Sequence, residues 1–99
     1  MGIGVGLFDR DGKELDSNEY IALTMDPEYR VVKQDRVGEC FVSTVWLGLN
    51  HQYAPLGQPI IFETMVFVDG RGDLDCERYE TEEQARQGHV KMIYRWAKR

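Results

Sequence analysis

Two stretches restrict the fold more than anything else in this chain: residues 40–49, CFVSTVWLGL, and residues 60–68, IIFETMVFV. Both are rich in β-branched and aromatic residues, and both place apolar side chains at odd and even positions alike. In the first, Phe41, Val45, Leu47 and Leu49 share one face of an extended strand, with Val42, Thr44 and Trp46 on the other. In the second, Ile60, Phe62, Val66 and Val68 oppose Ile61, Met65 and Phe67. Such strands need at least partial cover on both faces, which makes residues 60–68 the central strand of a sheet.

The clearest single element is a helix over residues 81–97. Thr81 followed by Gln84 is a capping-box pattern, Glu82 and Glu83 sit at the positive end of the helix dipole, and Arg95, Lys98 and Arg99 sit at its negative end. Ala85, His89, Met92 and Trp96 form one stripe flanked by Gly88 and Ile93, the stripe expected to pack on the sheet.

Weaker signals complete the outline. Residues 3–9 read as a short strand ending in the Asp9–Gly12 turn chemistry. Asp16 or Ser17 caps a short helix to about Met25, and Pro27 stops it. Tyr29, Val31 and Val32 open a charged edge strand. Residues 50–59 read as a long loop, and residues 75–80 return as a strand after the glycine-punctuated turn 69–73. The sequence therefore predicts a single α+β domain over residues 1–99. Its architecture is a meandering antiparallel sheet of four to five strands, with one short helix and a C-terminal amphipathic helix packed on one face.

Composition narrows the function classes. A chain of 99 residues supports one core, and its 42% hydrophobic content is that of a folded domain. The net charge of −5 disfavours nucleic acid as a partner, because phosphate contacts need clustered Lys and Arg. The longest apolar stretch, residues 60–68, is interrupted by Glu63 and Thr64 and is far shorter than the roughly 20 residues of a membrane helix. The opening MGIGVG lacks the basic and apolar regions of a secretory signal. Cys40 and Cys76 are expected as free thiols, and a cytoplasmic location follows.

The segments VSTVWLGLNH at 42–51, IFETMVF at 61–67 and RYET at 78–81, with Glu83, Ala85, Gly88 and His89, resemble a family of small uncharacterised proteins of bacteriophages and prophages. The resemblance covers about Asp35 to the C-terminus. The chain departs from the family pattern at Asn50, where the family carries Asp before the histidine, and in the turn 69–73. The resemblance implies a phage context and a host cytoplasm, and no reaction.

Four polar residues among the apolar segments are the candidate ligand or polar-cluster residues: His51, Glu63, Arg78 and His89. Glu63 lies on a strand face with Ile61, Met65 and Phe67, where a carboxylate needs a partner, and Arg78 on the next antiparallel strand is the expected one. His89 reads as a core histidine bonded to backbone or to Glu63. His51 opens the long loop, where a general base or ligand meets solvent. A metal site from His51, His89, Glu63 and a cysteine has suitable ligand types but no CxxC or HxxxH spacing, so no metal or cofactor is expected. Ser43 and Thr44 stand in mid-strand, and neither cysteine has an activating motif, so no catalytic residue is named.

Trp46 and Val42 lie opposite Phe41 and Val45. With helices on only one sheet face, these two become an expected exposed apolar patch and, with Tyr53 in the adjoining loop, the interface candidates. Two functions follow as expectations. The first is a small phage-type protein that binds and modulates a host or phage protein without catalysis, with self-association as its simplest extension. The second is a small-ligand binder or enzyme, which requires His51, Glu63, Arg78 and His89 to converge.

Overall fold

In a computed structural model of the chain, residues 6–50 and 59–97 are described. The elements follow in the order α1 Ser17–Thr24, α2 Pro27–Arg30, β1 Val31–Val37, β2 Cys40–Trp46, β3 Phe62–Val68, β4 Gly72–Tyr79 and α3 Glu82–Ala97. The four strands form one antiparallel sheet in the order β1-β2-β3-β4, the expected meander, with both apolar runs as its inner strands. Irregularities interrupt two ladders, between Val31 and Lys33 and between Val66 and Phe67.

Local chemistry explains the ends of the elements. Asp16 and Glu19 form a reciprocal capping box on α1. Asp26 caps α2, whose first residue is Pro27, so the chain makes one helical turn before the sheet where an extended segment from Tyr29 was expected. β2 ends at Trp46 rather than Leu49. Gly48 there has φ +79°, and a Cβ at that position would collide with Tyr20 and Trp46, so only glycine allows the backbone to turn under those rings. The expected first strand is reduced, within the described residues, to isolated bridges from Leu7 to Leu49 and from Phe8 to Glu14. β4 begins at Gly72, three residues before the expected Asp75.

All the described helices lie on one face of the sheet. α3 crosses all four strands and presents Ala85, Gly88, His89 and Met92 inward. Two packed groups result. Val32, Trp46, Ile61, Phe62 and Ala85 form one, walled by Tyr20, Leu23 and Tyr29 from the N-terminal segment. Cys40, Val42, Val66 and Met92 form the other, beneath Ile93 and Trp96. Full burial of a side chain such as Phe62 or Met92 stabilises by about 1.5–3 kcal/mol each.

The expected apolar patch is corrected by this layering. Val42 is 0% exposed and Trp46 is 2% exposed, because the helices pack on the face that carries them. Tyr29 meets the Trp46 ring edge-on at 5.0 Å, Tyr20 lies at 5.8 Å, and the indole N–H donates to the Phe8 carbonyl at 2.9 Å. Among the described residues, no helix packs on the opposite face, that of Phe41, Ser43 and Val45.

Candidate functional site

The register of the strands arranges the uncovered face as three rows across the sheet. Arg36, Phe41, Phe67 and Asp73 make the first row, and Gln34, Ser43, Met65 and Cys76 the second. Val31, Val45, Glu63 and Arg78 make the third. The Phe41 and Phe67 rings are 6.5 Å apart, and the Arg36 guanidinium stands 6.0 Å above Phe41. Among the described residues, no helix packs on this face, and Phe67 is 37% exposed.

Polar residues of the second and third rows are tied to one another. Arg78 Nε donates to Glu63 Oε2 at 3.1 Å, the cross-strand ion pair expected from the sequence. The Cys76 thiol donates to the same carboxylate oxygen at 3.3 Å. Although the residue is exposed overall, burial of the thiol, followed by its hydrogen bond to Glu63 and that carboxylate's charge, pushes its pKa up to about 11. Gln34 donates to Ser43 Oγ at 3.0 Å. The face therefore has a paired polar part and an apolar part made of Phe41, Val45, Met65 and Phe67.

His89 belongs to the opposite side of the sheet. It is 2% exposed, with Nδ1 2.7 Å from Thr44 Oγ1 and Nε2 2.8 Å from Asp35 Oδ2. Thr44 in turn shares a hydrogen bond with Thr64, and both threonines are fully buried. Carboxylate, imidazole and hydroxyl stand in the order of a hydrolase relay, yet a hydroxyl with no exposure meets no substrate. The network instead joins α3 to β1, β2 and β3, and among the described residues no buried side-chain polar atom lacks a partner.

Three of the four candidate polar residues are described, and they separate. Glu63 and Arg78 pair on the open face, His89 is buried on the covered face with Asp35 and Thr44 instead of Glu63, and the sheet stands between them. His51 and Tyr53 lie outside the described residues. Among the described residues, no group of three or more His, Cys, Asp or Glu side chains is placed to hold a metal ion. A half-open cavity of about 480 Å³ lies near the end of α3, where Cys40, Val68, Leu74 and Trp96 form its apolar wall and Arg71 and Glu39 stand at its polar side.

Sequence reasoning missed two features of this architecture. Asp35 is 54 residues from His89, and nothing local pairs them. Phe41 and Phe67 were legible as apolar but not as the open side. The segregation of charge was also legible: residues 9–28 hold seven acidic and two basic residues, which accounts for the whole formal −5. The open face is left electrically balanced, with Arg36 and Arg78 against Glu63 and Asp73. Among the described residues, no helix is long and apolar enough to cross a membrane. No protein-family model matches the chain, and no curated protein or solved structure is significantly similar to it.

Proposed function

We propose that the chain is a small protein-binding module, a modulator of the phage type that acts by contact rather than catalysis in a host cytoplasm. The observation that carries this reading is the one-sided layering. A four-stranded sheet covers one face with every described helix and leaves Phe41, Val45, Met65 and Phe67 on the other. Apolar sheet surface of this kind is normally buried against something, and its polar neighbours Glu63, Arg78 and Cys76 are already paired, so covering them strands none of these groups. The sequence resemblance to phage and prophage proteins supports the setting.

Native complexes from cells expressing the chain test the reading. The wild-type chain is expected in a complex larger than its 11.5 kDa, and a Phe41→Lys, Phe67→Glu double variant that keeps its circular dichroism is expected to leave it. A variant that remains in the same complex removes the open face from the account. The alternative, a ligand or reaction site built on His51, Glu63, Arg78 and His89, has no common location for Glu63 and His89, which lie on opposite faces of the sheet.

A further inference from the structure

Resting on the reading of the open face as a contact surface, we infer that its occupant is a second copy of this chain, packed sheet to sheet about a two-fold axis parallel to the strands. A closed pair of identical chains needs a surface complementary to itself. An axis along the strands, between β2 and β3, exchanges β1 with β4 and β2 with β3 while keeping each row in place. In the first row it sets Arg36 over the copy's Asp73, and Asp73 over the copy's Arg36. It also sets Phe41 over the copy's Phe67, and the reverse. In the second row Ser43 meets Met65, and in the third Val45 meets Glu63, whose charge is already taken up by Arg78.

Charge distribution favours the same occupant. Two chains of net charge −5 repel, but that excess lies in residues 9–28, whose Tyr20 and Leu23 cover Trp46 on the far side of the sheet. The opposed faces are balanced. Arg36 has an intramolecular partner in Asp69 at 3.1 Å, with side chains 54% and 59% exposed, an exposed pair that exchanges at little cost.

Area limits the strength. Four strands about 4.8 Å apart and seven residues at about 3.3 Å each give roughly 400 Å² per copy, about half of what a standard interface buries per partner and in the range of weak, transient contacts. The pair should therefore be weak and concentration-dependent, with a Kd on the order of 10–100 µM.

Sedimentation velocity on the purified full chain tests this, with folding checked by circular dichroism. The wild type is expected to pass from monomer to dimer across that range. Arg36→Asp and Asp73→Arg should each raise the Kd roughly tenfold, and the double variant carrying both should return it to within about threefold of wild type. Asp69→Asn, which removes only the intramolecular partner, should leave the Kd unchanged. A wild type that stays monomeric to about 1 mM overturns the inference, as does a charge exchange that restores nothing. A monomer in purified form that still enters a Phe67-dependent complex in cells overturns the second copy while leaving the contact surface intact, with a different protein as its partner.

Discussion

His89 Nε2 lies 2.8 Å from Asp35 Oδ2, so a side chain of α3 that is 2% exposed reaches across to the edge strand β1. Through Thr44 the same ring also holds β2, and the network places α3 on the sheet in one register. Replacement by a residue that fills the space without hydrogen bonds takes the imidazole from Asp35 and leaves buried Thr44 with Thr64 alone. His89→Leu is expected to lower unfolding stability by about 2–4 kcal/mol in a urea titration. A loss under about 0.5 kcal/mol would show that the network does not hold the helix.

Gly88 makes the helix's close approach to β4 possible. A Cβ there would overlap the phenol ring and hydroxyl of Tyr79. In an ordinary helix interior, Gly→Ala stabilises by about 1 kcal/mol. Here Gly88→Ala is expected to destabilise by about 1–3 kcal/mol, with the sign set by the clash, and a Tyr79→Leu background should recover part of the loss. Thermal unfolding of the single and double variants separates the two signs.

Cys76 is exposed yet should react slowly. With its pKa at about 11, only a small fraction is thiolate at pH 8. Alkylation there, followed at the Cys76 peptide by mass spectrometry, is expected to run on the order of 100-fold slower than for an ordinary thiol of pKa about 8.5. The Glu63 carboxylate's hydrogen bond and charge both raise the Cys76 pKa; Glu63→Gln weakens the first and removes the second, so that variant should react faster.

Acid should loosen both ends of α3. Arg10, chiefly through hydrogen bonds of 2.9 and 2.6 Å, holds the Glu82 carboxyl below its ordinary range, with Arg86 adding to the effect. Trp96 first and then Arg95 do the same for Asp75. A carboxylate whose pKa is lower in the folded chain binds fewer protons there than when unfolded. Its contribution is complete above the unfolded pKa of about 4 and declines as pH falls through the folded value. Stability measured between pH 6 and pH 3 is expected to fall less steeply in a Glu82→Gln, Asp75→Asn double variant than in wild type.

Much of the fold was legible because its signals are local. The Thr81–Gln84 box and the Ala85, His89, Met92 stripe set α3 within a residue of its observed start, and the two apolar runs became β2 and β3. The choice of covered face was not legible. Both sides of residues 40–49 are apolar, and tertiary docking, of Tyr20 and Tyr29 on Trp46 and of α3 on Val42, decides which is buried. Asp26 and Pro27 carried the signal for α2, since Pro at a first helical position starts a turn as readily as it stops the helix before it. Glu63 and Arg78 were paired correctly because adjacent antiparallel strands fix their register. His89 was not, because its partners come from β1 and β2 through the packing of a whole helix.

Site-directed photo-crosslinking in cells is the most direct check on the open face as the working surface. A benzophenone side chain at position 67, on that face, is compared with one at position 94, where Tyr94 is 66% exposed on the outer side of α3. Covalent products from position 67 and few from position 94 are the expected result. Products from position 94 alone would place the contact on the helical side and contradict the account.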